Sequence, residues 1–168
     1  MIIAHEQLAG RTGHEAGRAL LEQLYKTHFP GEMPKILIAE RGKPYFATGN
    51  VHFSISHTKD HVFCVLADRE VGIDAEELSR SVNLGLAQKV LSPGELAQYN
   101  AAADKNKALL TFWVLKEAAA KMSGDGLRGY PNGTNFALDD PRVQELSGCL
   151  VAVIEESFIF TKEEPYAF

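Results

Sequence analysis

Asp74 and Glu76 stand two residues apart in the run Val71-Gly72-Ile73-Asp74-Ala75-Glu76. In an extended segment residues i and i+2 point the same way, so both carboxylates can aim at one point. Two hard oxygen donors so arranged suit Mg²⁺, which keeps several of its waters and also binds substrate phosphates. A polar turn with its acids in solvent gives the same pattern, and the adjacent Glu77 fits that simpler reading. A second candidate is Trp113-Val114-Leu115-Lys116-Glu117-Ala118-Ala119-Ala120-Lys121. There Glu117 and Lys121 share a helix face, either at a site or as an ordinary surface ion pair. Trp113, one turn earlier, is expected to anchor that face in the core. The third candidate, Phe53-Ser54-Ile55-Ser56-His57-Thr58, offers hydroxyls and an imidazole for phosphate oxygens. No G-x-S-x-G elbow surrounds either serine, which argues against a hydrolase nucleophile. Capping or turn chemistry remains open there.

These residues need elements to hold them. Ala16, Leu20, Leu21 and Leu24 recur at helical spacing between Gly13 and His28, and Thr12-x-x-Glu15 reads as a capping box. A start nearer His5 is also open, and Pro30-Gly31 ends the helix. Strands are expected at 35–39, 51–56, 61–67 and 71–74, with a turn at Arg41-Gly42-Lys43-Pro44. In the second of these, Val51, Phe53 and Ile55 face one way and His52, Ser54 and Ser56 the other. A short helix is expected at 83–90. Ser92-Pro93-Gly94-Glu95 combines a capping box with proline at the first helical position. A longer helix is expected from Lys105 to Ser123, capped by Asp104 and stopped by Gly124. Strands at 135–138, 149–154 and 157–161 follow. Helices then strands, met twice, predict an α+β fold of two related halves, 1–70 and 71–168, within one compact unit.

The 168 residues fit one domain. A net charge of −5 argues against a broad nucleic-acid surface, although local basic residues can still hold a small polyanion. No apolar run approaches the ~20 residues of a membrane span. The opening Met1-Ile2-Ile3-Ala4-His5-Glu6 has no signal-peptide pattern, which leaves the cytoplasm as the expected location. Cys64 and Cys149 lie far apart in sequence, in no metal-type pair, and are expected to be buried thiols.

Taken in register, these segments resemble the Sfp-type 4′-phosphopantetheinyl transferases. The 71–76 run is similar to that family's V-G-I-D-x-E segment, and residues 112–121 to its F/W-x-x-K-E-A-x-x-K helix. Residues 53–58 resemble F-N-I-S-H-S, Gly42-Lys43-Pro44 the G-K-P turn, Leu91 to Glu95 the F-S-x-x-E helix start, and Gly124 to Leu127 the G-x-G-L exit. The likeness runs from about Arg11 to Leu138.

The resemblance implies transfer of the 4′-phosphopantetheine arm of coenzyme A to a serine of an acyl or peptidyl carrier protein, releasing adenosine 3′,5′-bisphosphate. It implies Mg²⁺ held by Asp74, Glu76 and Glu117. Glu117, or water on the metal, would take the serine proton, and Lys121 would neutralise charge near the phosphates. Ser56 and His57 would contact coenzyme A, His57 at the 3′-phosphate, while Arg11 and Lys43 would help hold the nucleotide. The family fold is a pseudo-dimer of two α+β halves, so a monomer is the simplest expectation. Longer members carry extra basic residues ahead of the position of Arg11, so coenzyme A binding here is expected to be weaker unless Lys26 and Arg18 substitute. Two other readings compete: a non-catalytic module that binds coenzyme A or a carrier protein, and a metal-dependent phosphohydrolase acting on water.

Overall fold

The computed structural model describes residues 1–126 and 135–156, so the expected strand at 157–161 lies outside the described residues. Two antiparallel three-stranded sheets, each with a long helix on one face, form the body, with a two-stranded ribbon beside them. This is the α+β pseudo-dimer that the sequence predicts.

The first sheet has the order β1-β5-β4, from Ile2–Gln7, His61–Ala67 and His52–His57. Helix α1, Gly13–His28, packs on it, and both arms of the Thr12/Glu15 capping box are made. The alternative of a helix starting near His5 does not hold, because Ile2–Gln7 pairs along β5 from Ile2–Leu66 to Gln7–His61. Its inward residues, Ile2, Ala4 and Glu6, make a weakly apolar alternation that is hard to see in sequence. The ribbon joins β2 (Ile36–Ile38) to β3 (Pro44–Phe46).

The second sheet has the order β6-β8-β7, from Val71–Glu77, Cys149–Glu155 and Val143–Leu146. A 3₁₀ turn at Leu84–Leu86 leads into α2 (Ala87–Val90), then α3 (Pro93–Ala101) and α4 (Lys105–Ser123). Asp104 caps α4, and Gly124 ends it with φ of 74°, a left-handed conformation that glycine adopts without steric cost.

Three apolar layers explain the sequence runs. Val62, Cys64 and Leu66 of β5 face α1, whereas Phe63, Val65 and Ala67 face the second sheet. Leu150, Ala152 and Ile154 of β8 pack toward α4, with Cys149 and Val151 turned to the shared layer. Strands covered on both faces read as continuous apolar runs. Both cysteines are free and buried as expected, and burial pushes the Cys64 thiol up to about 12.

On β6, Val71, Ile73 and Ala75 enter the shared layer, so alternation turns Gly72, Asp74 and Glu76 toward α4. A Cβ on Gly72 would lie 1.9 Å from the Ala118 carbonyl oxygen. The missing side chain is what lets α4 lie against β6. The strand continues to Glu77, so Asp74 sits mid-strand and not at the strand end that the sequence predicts.

Two further expectations change. Residues 135–138 form no strand, because side chains of α3 take their backbone groups instead. Phe136 N–H donates to Glu95 Oε1, Leu138 N–H donates to Gln98 Oε1, and Gln98 Nε2 donates to the Phe136 carbonyl. Trp113 is half-buried and stands outside the apolar layers, lining a shallow dimple with Arg80, Val82, Leu86 and Leu109.

Candidate active site at the seam of the two halves

The seam is built from hydroxyl groups. Alternation along β4 aims Ser54 and Ser56 at β6, opposite the Phe53 face that packs on α1. The Ser54 Oγ accepts from Ile73 N–H at 3.1 Å, and the Ser56 Oγ accepts from Ala75 N–H at 3.2 Å. These two serines satisfy the outer edge of β6, which pairs with β8 on its other side. Ser56 also donates to Asp74 Oδ1 at 2.9 Å.

Lys121 reaches this seam from α4. Its Nζ donates to Asp74 Oδ1 at 2.7 Å, to the Ile73 carbonyl at 3.2 Å and to Ser56 Oγ at 3.1 Å. Ser56 is buried, and its hydroxyl is engaged by three protein groups. Its placement makes it a brace for Asp74 and Lys121.

Glu117, one turn before Lys121, is half-buried. Its carboxyl is held above the usual glutamate range, first by burial, then by the charge of Asp74, with Glu76 adding a smaller push and Lys121 opposing. Asp74 and Glu76 of β6 are thus near enough to Glu117 of α4 for their charges to act on it. Glu76 is drawn into an ion pair with Arg80, and Asp74 into one with Lys121. Among the described residues no three acidic, histidine or cysteine side chains stand in ready ligating geometry. Like charge gathered around a half-buried acid is a donor set that a divalent cation would relieve. Glu77 points elsewhere, its carboxylate accepting from Asp60 N–H in the β4–β5 turn at 3.1 Å.

Two cavities share the tip of the β2–β3 ribbon in their walls. A cavity of about 260 Å³ is lined by Arg41, Lys43, Phe53, Glu117, Lys121 and Gly124. A second, of about 600 Å³, is lined by Lys43 together with Tyr45, Phe46, His52 and Glu70. Lys43 bonds to the Glu70 carboxylate and the Met122 carbonyl, and Arg41 pairs with Asp125. Both cations thus stand at the cavity walls with protein partners.

Of the remaining predicted residues, His57 and Arg11 lie at the N-terminal end of α1, and Arg18 and Lys26 lie along it. His57 is exposed, and its ring lies against Gly13. Arg11 does not line either cavity. It pairs with Glu6 at 2.8 Å and donates to the Leu8 and Gln7 carbonyls, pinning the β1–α1 loop. Lys26 pairs with Glu22 on the exposed face of α1, and Arg18 is exposed there too.

Three roles escape the sequence reading, two of them being those of Ser54 at the edge of β6 and of Arg41 at the cavity wall. Ser54 and Arg41 were available to it, one by alternation with Ser56 and the other as the neighbour of Gly42. The third, a buried ion pair between Lys116 and Glu95 at 2.8 Å, is not signalled by pattern. Glu95 Oε2 also accepts from Ser92 N–H, and both side chains are almost fully enclosed.

The sequence profile of the 4′-phosphopantetheinyl transferase superfamily matches residues 70–164. The 4′-phosphopantetheinyl transferase AcpT of Escherichia coli K12 is 37% identical over 115 residues, covering 65% of this chain and 56% of its own. HetI, a 4′-phosphopantetheinyl transferase of Nostoc, is 32% identical over 123 residues, covering 67% and 52%. A 4′-phosphopantetheinyl transferase of Bacillus subtilis is 30% identical over 93 residues, covering 54% and 41%. The chain spans about half the length of the relatives it matches.

Proposed function

The chain belongs to the 4′-phosphopantetheinyl transferase superfamily, and from that premise we propose that it transfers the phosphopantetheine arm of coenzyme A to a carrier-protein serine. The observation that supports the proposal is that Glu117 and Lys121 line a cavity between the halves, with Asp74 paired to Lys121 and the charges of Asp74 and Glu76 acting on Glu117.

Asp74, Glu76 and Glu117 would hold Mg²⁺, which supplies charge neutralisation at the pyrophosphate of coenzyme A. The serine oxygen forms a bond to the phosphorus that bears the pantetheine arm. The bond from that phosphorus to the bridging oxygen breaks, and adenosine 3′,5′-bisphosphate leaves with the electron pair. Glu117 would receive the serine proton. Lys121, held by Asp74 and Ser56, presents its charge to the departing phosphate. Lys43 and Arg41 border the same cavity and would exchange their protein partners for nucleotide oxygens. His57 would take the 3′-phosphate, with Arg11 holding the loop beside it. A monomer in the cytoplasm fits this work, since the two halves already build the seam within one chain.

Intact-protein mass spectrometry tests the reading. An apo acyl or peptidyl carrier protein, incubated with the protein, coenzyme A and Mg²⁺, should gain one phosphopantetheine mass. The gain should vanish with EDTA or with Glu117→Gln. Release of the nucleotide without any acceptor would replace transfer by hydrolysis. Coenzyme A binding without modification of either carrier class would favour a binding module.

A further inference from the structure

The first turn of α1 meets β4 at a place where a side chain is missing. A Cβ built on Gly13 would lie 2.4 Å from both Cγ and Cδ2 of His57 and 2.6 Å from its Nδ1. Near-equal distances to three ring atoms put that position over the face of the imidazole and not at its edge. Gly13 does not have a positive φ, so the backbone there places no demand for glycine. What glycine provides is room.

Resting on the proposal that His57 faces the 3′-phosphate, we infer that Gly13 is a positioning residue for coenzyme A binding, because its bare Cα lets the His57 ring lie against the first turn of α1. Any larger residue must push the ring outward by about 1 Å to reach an ordinary contact distance. The ring is exposed and its Nδ1 approaches the Thr58 carbonyl only at 3.4 Å, so it can swing away with little effect on the fold. A charge-assisted hydrogen bond to phosphate depends on donor placement, and the displaced imidazole no longer meets the same oxygen.

Gly17, one turn further along α1, provides the contrast. Its Cβ would lie 2.8 Å from Ile55 Cγ2 and 3.7 Å from Val62 Cγ2, against the apolar layer rather than a polar ring. Gly17→Ala should lower Tm without discriminating between ligands.

The test is calorimetric binding of coenzyme A and of 3′-dephospho-coenzyme A, with Mg²⁺, to the full chain. Gly13→Ala should keep the wild-type Tm, weaken coenzyme A by about 5–20-fold and leave the dephospho compound within about two-fold. In the ligand-free protein it should shift the His57 ring resonances. Added to His57→Ala it should weaken binding no further. A Gly13→Ala protein that binds both ligands normally, weakens both alike, adds to His57→Ala or loses Tm as Gly17→Ala does overturns the inference. If His57→Ala itself fails to separate the two ligands, the role of His57 falls first. That result is distinct from a Gly13→Ala failure beside a discriminating His57→Ala.

Discussion

Two lysines on one helix meet two acids in opposite settings. Lys116 and Glu95 are sealed, with side-chain exposures of 3% and 0%. Lys121 and Asp74, slightly more than a turn along α4, are left at 32% and 9% beside a cavity. The sealed acid accepts backbone N–H groups from Ser92 and Phe136, so it ties α3, α4 and the chain after the long helix into one knot. The open pair shares its contacts with Ser56 and a strand carbonyl, and it keeps one side toward space where a ligand fits. The same chemistry is structural where water is excluded and available for function where it is not. Enclosure decides which.

The largest effect that would sharpen this contrast is on stability. Lys116→Met alone leaves Glu95 charged and buried and should cost roughly 3–5 kcal/mol by chemical denaturation. Lys116→Met with Glu95→Leu should recover part of that loss, although two N–H groups then lack their acceptor. A single variant as stable as wild type would break the distinction.

Next is Asp74→Ala. It should reduce carrier modification by at least about 10²-fold, with a stability change on the order of 1–2 kcal/mol. Lys121 keeps its bonds to Ser56 and the Ile73 carbonyl, and the cavity side is already open. Measured turnover near wild type would remove Asp74 from the chemistry, and global unfolding would make the open pair as structural as the sealed one.

The smallest expected effect is at Trp113, on a third face of the same helix. As a core residue it would cost ~3–5 kcal/mol on truncation to alanine. Half-buried above a dimple, it should cost about 1–2 kcal/mol, read as a modest fall in the denaturation midpoint.

The legible parts of the sequence were those governed by local rules. The Thr12/Glu15 and Ser92/Glu95 boxes and the Asp104 cap mark helix starts because their partners lie three residues away. The alternation of β4 correctly divided Phe53 from Ser54 and Ser56. Whether an acid is enclosed is not local. Glu15 and Glu95 play the same capping role, yet Glu15 is exposed and Glu95 has no exposure. What seals Glu95 comes from α4 and from residue 136, neither of which a capping box specifies. The lost strand at 135–138 and the half-buried Trp113 have the same origin, since each depends on what another segment brings alongside. For the site, neither motif alone pointed beyond a polar turn or a surface pair, and only the family resemblance grouped Asp74, Glu76, Glu117 and Lys121, whereas the occupation of Ser56 and the pairing of Glu76 with Arg80 became visible only in three dimensions.

The joint between the halves has one more consequence. Main-chain ladders are nearly indifferent to side-chain identity, so substitution rarely unpicks them. Where β6 meets β4, two hydroxyls take the ladder's place, and the amides of Ile73 and Ala75 depend on them. Beside the shared apolar layer, the polar part of the joint is therefore written in codons 54 and 56, where selection can adjust it one residue at a time.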